Sequence, residues 1–219
     1  MLDQQGLGGN HEEVAKTFQD EAFRKVSVWA EHAGEDGKLD RMRLLDGPPP
    51  PWIATWETWR RQFEYTFAKF ELNGDPVAGA NHLRWVLSHA PAYPDALDTI
   101  ERIAAHGFLL GLMSNADEDF LQSAVSFNRL RFSVIQSSES LRIYKPNRAA
   151  FLALAGRFGC EPYEVLYVGD TPAADVGGSI HAGLRAAWVR RTEAAYPEDT
   201  PSPDIETTSL AALADRLEA

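Results

Sequence analysis

The chain has 219 residues, of which 44% are hydrophobic, 11% aromatic and 24% charged. That is the balance of a folded globular protein, with too much burial potential for a disordered one. Its 21 lysines and arginines against 32 aspartates and glutamates leave a net charge of −11. Such a surface repels phosphate backbones and anionic lipid, so neither nucleic acid nor a membrane is an expected partner. The single cysteine, Cys160, excludes an internal disulfide and fits a reducing compartment. With no basic-then-apolar leader pattern and only short apolar runs, a cytoplasmic protein is expected.

Residues 11–88 read as interrupted helices. Val14, Phe18, Ala22, Val26 and Trp29 recur at three- and four-residue intervals, which puts them on one helical face. Gly34-Glu-Asp-Gly37 breaks that pattern. The run Gly47-Pro-Pro-Pro-Pro51 cannot lie inside a helix, because proline lacks the N–H and clashes with the preceding turn. Its last proline suits the first position of a new helix, on which Trp52, Trp56, Trp59, Phe63 and Phe67 or Phe70 form a stripe. An aromatic stripe at this spacing is expected to be packing, with its exposed end, Trp59 to Phe63, the part to test for substrate choice. Asn73-Gly-Asp-Pro76 ends the helix, and a shorter one follows around His82 to Leu87.

After Pro91 helices and strands alternate. Asp95 to Ala105 reads as a helix stopped at Gly107, where glycine tolerates the left-handed conformation. Phe108 to Met113 is a short apolar run, followed by a helix through Phe120 and a strand at Phe132 to Ile135. Arg148 to Phe158 is helical, Val165 to Val168 is a buried strand, and Asp175 to Ala182 is helical again. Arg185 to Val189 is a strand, and a surface loop over Glu193 to Pro203 precedes a last short strand at Asp204 to Glu206. Apolar strands separated by helices make an α/β fold with a parallel sheet covered on both faces. In that architecture the polar groups just after strand C-termini face the ligand crevice.

Three polar constellations occupy those positions. Ser114 and Asn115 follow the run Leu-Gly-Leu-Met. Tyr144-Lys145-Pro146 sets a lysine immediately before a helix. Gly169-Asp170-Thr-Pro-Ala-Ala-Asp175 carries two carboxylates across a strand-to-helix turn, with Gly169 read as the residue that lets the backbone turn sharply. Mg²⁺ needs only one or two carboxylates beside water and substrate oxygens, which suits this pair. Singly each is ordinary turn or capping chemistry. Together, at three strand ends, a hydroxyl, an ammonium and a hard-cation site match the charge of a phosphoryl group in transfer.

With Tyr93-Pro-Asp-Ala-Leu97, Ser137-Ser-Glu139, Phe151 and the run from Val168 to Leu184, these motifs resemble the second to fourth motifs of the haloacid dehalogenase-like (HAD) hydrolase superfamily. The resemblance implies a three-layer Rossmann-like α/β core over residues 90–219 and an α-helical cap over 9–89, with 1–8 the remnant of a first core segment. It also implies phosphoryl transfer through an aspartyl-phosphate. Ser114 and Lys145 would be catalytic, Ser114, Asn115 and Lys145 would bind substrate, and Asp170 and Asp175 would hold Mg²⁺. The paired aspartates resemble the metal-free, halide-releasing branch less.

The family's first motif, an apolar strand running into Asp-x-Asp-Gly-Thr-Leu, has no counterpart around Met1-Leu-Asp-Gln, where Asp3 matches only its trailing aspartate. The central strand and the attacking carboxylate are therefore expected on a segment missing from this sequence. The expected protein is a Mg²⁺-dependent phosphatase of a small phosphomonoester, monomeric or homodimeric, with the chain as given inactive. A non-catalytic HAD-like binding protein, a 2-haloacid dehalogenase and a phosphomutase are the alternatives. Arg60 and Arg61 diverge on a helix and read as solvated. The six histidines lack ligand spacing, and Cys160 reads as a semi-buried packing residue.

Overall fold

A computed structural model describes residues 10–30, 41–193 and 195–218. The expected glycine break at 34–37 and the first-motif remnant at 1–8 lie outside them.

The N-terminal helix α1 runs from His11–Lys16 through a wider, π-helical Thr17–Ala22 to Phe23–Val26. Its expected apolar face is cut short. The chain turns extended at Ser27, and Trp29 instead packs edge-on against Tyr144 at 5.8 Å between ring centroids. Helix α2 spans Arg41–Asp46, α3 spans Thr55–Lys69 and α4 spans Pro76–Ser88. Asp75 caps α4 through the amides of Val77 and Ala78, with Pro76 at the first position. Val14, Phe63, Phe67 and Ala80 make a buried cluster with Trp56 and Trp59 against it, so most of the aromatic stripe is packing. Gly79 lets α4 meet α3 closely, since a Cβ there would stand 2.8 Å from the Phe63 ring.

Helix α3 begins at Thr55 rather than at Pro51, and Trp52 stands before it. The reason is tertiary. Both oxygens of the buried Asp117 carboxylate accept the backbone N–H groups of Thr55 (2.7 Å) and Trp56 (2.9 Å). A carboxylate at a helix N-terminus satisfies orphan donors and opposes the positive end of the helix dipole. Here it comes from 61 and 62 residues away.

The α/β core follows. Helix α5 is Ala96–Ala105, β1 Gly111–Ser114, α6 Glu118–Phe127 and β2 Val134–Ser137. A short α7 (Ser138–Leu141) leads to α8 (Arg148–Phe158) and β3 (Leu166–Gly169). Helix α9 opens with π-helical turns at Pro172–Gly177 and closes at Gly178–His181, so it starts three residues before the expected Asp175. Strands β4 (Arg185–Val189) and β5 (Ile205–Thr207) and helix α10 (Leu210–Leu217) complete it. The first strand also lies later than expected, since Phe108 and Leu109 are exposed.

All strand pairs are parallel, in two ladders ordered β1–β2 and β3–β4–β5; β1 and β3 do not pair with each other among the described residues. Side chains bridge the ladders instead. Met113 of β1 and Tyr167 of β3 share one buried cluster with Phe151 and Leu154 of α8 and Leu184. The Phe151 and Tyr167 rings meet edge-on at 5.0 Å. The architecture is a Rossmann-like core beneath a helical cap.

Replacing Asp117 with Ala leaves two amides at the start of α3 without their partner. A loss of about 2 kcal/mol is expected, the upper part of the range for helix caps. Urea unfolding at neutral pH measures it; a midpoint unchanged from wild type would exclude this cap as a structural tie.

Candidate active site at the strand ends

Strands β1 and β3 end side by side in sequence-distant turns, and Lys145 lies between them. Its ammonium donates to Asp175 Oδ1 at 2.7 Å and to the Tyr167 hydroxyl at 3.0 Å. Burial opposes this charge, but Tyr167 and Asp175 hold Lys145 above the ordinary lysine range. Burial likewise pushes the Tyr167 phenol up to about 12. The phenol stays protonated at neutral pH and is directed at the Met113 carbonyl, 3.5 Å away. Because the Lys145 shift is upward, its contribution to stability is complete below the free lysine value near 10.4 and fades only above it.

Asp175 is 4% exposed and uses both oxygens: Oδ1 accepts from Lys145, and Oδ2 accepts from the Thr171 amide at 3.0 Å. Gly169 makes that geometry available through space, not through an unusual backbone angle. Its φ is not among the positive ones, but a Cβ there would fall 2.4 Å from Asp175 Cβ and 2.5 Å from Oδ2. The sharp-turn reading of Gly169 is corrected accordingly.

Asn115 is committed to the chain. Its Oδ1 accepts from the Lys145 amide at 2.8 Å and its Nδ2 donates to the Lys145 carbonyl at 3.1 Å, a clamp that sets the lysine backbone. Ser114 ends β1 half-buried, opposite Ser137 in the parallel register. Asp170 is exposed. Among the described residues its carboxylate meets the Thr171 hydroxyl, at 3.4 Å, while its carbonyl accepts from the Trp188 indole at 3.1 Å. The structure thus brings Asn115, Lys145 and Asp175 into one hydrogen-bonded unit, with Ser114 and Asp170 at its rim.

No group of three or more His, Cys, Asp or Glu side chains is gathered to hold a metal among the described residues. The hard oxygen donor is the exposed Asp170 carboxylate, with Asp175 five residues on. That pair fits a Mg²⁺ that keeps most of its waters. Arg60 and Arg61 are tied to Glu57 at 2.7 and 2.8 Å.

Two residues had no role in the sequence reading. Tyr167 of this unit is the one hydroxyl-bearing side chain in a strand otherwise apolar. Asp117, which caps α3, lies just after β1, where nothing local distinguishes a cap for a distant helix from a turn residue.

A family model for haloacid dehalogenase-like hydrolases matches residues 7–183. The chain belongs to that family. It is similar to the phosphoserine phosphatase of Thermus thermophilus, 34% identical over 83% of this chain and 75% of the relative. It is also similar to (S)-2-haloacid dehalogenase 4A of Burkholderia cepacia, 31% identical over 46% of this chain. The match spans 44% of that dehalogenase's own length. In fold it matches the L-2-haloacid dehalogenase RSc1362 with a TM-score of 0.78, at 20% identity, over 99% of this chain and 89% of that structure.

Lys145→Met leaves Asp175 as a buried carboxylate without its cation, and a loss of about 3–5 kcal/mol is expected. Adding Asp175→Leu removes the orphaned charge and should restore most of it. Denaturant unfolding of the two single variants and the double variant tests this. Additive losses in the double variant would mean the two side chains do not act as a pair.

Proposed function

We propose that the strand-end crevice binds the phosphoryl group of a small phosphomonoester and that the protein is a Mg²⁺-dependent phosphatase. The observation that carries this reading is the distribution of charge. Lys145 and Asp175 neutralise each other, so the remaining carboxylate, Asp170, leaves the crevice negative. A phosphate dianion is repelled there until a divalent cation reverses the sign.

When bound, Mg²⁺ neutralises charge on the transferring phosphoryl group. Asp170 would be its direct ligand and Asp175 would act through a water, because hydrogen bonds from Lys145 and Thr171 already engage the Asp175 oxygens. Ser114, at the tip of β1, donates its hydroxyl to a phosphoryl oxygen. Lys145 supplies further positive potential from a fixed position, since Asn115 holds its backbone and Asp175 and Tyr167 hold its ammonium. Preorganised donors of this kind act without reorganising during the reaction. Neither Asp170 nor Asp175 is left for attack on phosphorus, one being the proposed metal ligand and the other the lysine partner. The chain as given is therefore proposed to bind phosphate without turning over.

A 2-haloacid dehalogenase is the second reading, favoured by the relatives of that activity. It needs no metal.

Calorimetric titration with inorganic phosphate separates the two. Mg²⁺ is expected to strengthen phosphate binding at least tenfold, and Asp170→Asn to abolish that gain without unfolding the chain. Phosphate affinity indifferent to Mg²⁺, together with metal-free binding of 2-chloropropionate, would overturn the phosphatase reading.

A further inference from the structure

The turn that carries Asp170 and Asp175 leaves the sheet where backbone pairing stops. Strand β3 pairs with β4 up to Gly169, which lies opposite Trp188. One residue further on, the Trp188 side chain takes over from the ladder, and its indole N–H donates to the Asp170 carbonyl at 3.1 Å. Trp188 is 4% exposed and shares a buried cluster with Ala186 and with Val176, the residue of α9 that follows Asp175. One side chain therefore stands at both ends of the turn, hydrogen-bonded at Asp170 and in one apolar cluster with the neighbour of Asp175.

The indole is held in its turn. Tyr196 packs edge-on against it at 4.8 Å between ring centroids, and the Tyr196 hydroxyl donates to the Pro201 carbonyl at 2.6 Å. A buried indole N–H requires an acceptor, and many backbone carbonyls could serve. This one belongs to the residue proposed above as the direct metal ligand.

The two carboxylates differ in how they are fixed. Asp175 is anchored by Lys145 and by the Thr171 amide. The Asp170 carboxylate is exposed, with the Thr171 hydroxyl at 3.4 Å as its contact among the described residues. Its place therefore depends on the backbone beneath it, which Trp188 holds. Mg²⁺ demands near-ideal octahedral geometry, so displacement of one ligand relative to the other weakens binding. Groups that orient a metal ligand without touching the metal commonly change affinity 10- to 100-fold when removed.

We infer that Trp188 is a positioning residue for the cation: through its N–H on the Asp170 carbonyl it sets where the Asp170 carboxylate stands relative to Asp175. The inference rests on the Mg²⁺ reading of the crevice and extends it to a residue of β4 that acts through the Asp170 backbone.

Trp188→Phe keeps a ring in the cluster and removes the N–H. Calorimetric titration of the chain as it stands with Mg²⁺, in the presence of inorganic phosphate, is expected to show affinity for the cation reduced at least tenfold in this variant. Urea unfolding separates positioning from packing. A lowered unfolding midpoint with Mg²⁺ affinity unchanged would mean that Trp188 only fills space, and would overturn the inference. If Trp188→Phe does not fold, the wild-type protein decides through its six tryptophans labelled with ¹⁵N. The Trp188 indole signal is identified by its Overhauser contact with the Tyr196 ring. Mg²⁺ is expected to slow hydrogen exchange at that N–H several-fold, and Asp170→Asn to remove the response. Exchange indifferent to Mg²⁺ would overturn the inference. A wild-type chain without Mg²⁺ affinity overturns the metal reading and this inference together, whereas equal affinity in wild type and Trp188→Phe overturns this inference alone.

Discussion

A lysine ammonium buried where two strand ends converge has to be neutralised, and the arrangement of the crevice follows from that requirement. Asp175 reaches Lys145 only because Gly169 has no side chain in its path. The Thr171 amide takes the other carboxylate oxygen, which fixes the start of α9 against β3. On the opposite side Asn115 grips the lysine backbone from the end of β1. Four segments separated by up to 60 residues thus meet on one ion pair. Tyr167 joins them to the hydrophobic cluster beneath, since its ring packs on Phe151 while its hydroxyl accepts from Lys145. A pair of this kind stabilises less than its Coulomb energy suggests, because desolvation offsets much of the attraction. Its value here is positional: breaking either half costs far more than making the pair gains.

The cap is joined to the core by the same rule, that buried polar groups must find partners. Asp117 closes the open end of α3, the Tyr144 hydroxyl donates to the Ile53 carbonyl, and Asn147 donates to the Gly47 carbonyl at 3.0 Å. The first serves the opening turn of α3, and the other two serve backbone of the connecting segment before it. Trp59 adds apolar area, packing against Phe120 at 5.3 Å. The consequence is that α3 of the cap is placed by residues of the core.

The parts of this architecture carried by local pattern were legible in the sequence. Helix α8 and strand β4 fall on the expected residues, because a continuous apolar run and a glycine stop are local signals. Ser114, Asn115 and Asp170 stand out as polar residues just beyond apolar strands, and Lys145 and Asp175 by their places before and within a helix. What the pattern could not convey was their division of labour. Spacing shows two carboxylates in one turn, but only folding reveals that Asp175 faces inward to Lys145 while Asp170 faces solvent. The start of α3 was missed because its cap comes from Asp117, far along the chain, whereas Pro51 offered a plausible local one. Trp29 left the helical face for Tyr144, again a tertiary preference invisible to periodicity.

That division of labour bears on how the two activities found among the relatives relate to one crevice. A 2-haloacid is a monoanion whose carboxylate needs a nearby positive group, and here the buried cation is already matched by Asp175. A phosphomonoester carries more charge still, yet brings the means of accommodating it, because phosphoryl oxygens and a carboxylate can share a divalent cation. An exposed Asp170 is therefore a liability for a metal-free anion site and an asset for a metal-assisted one.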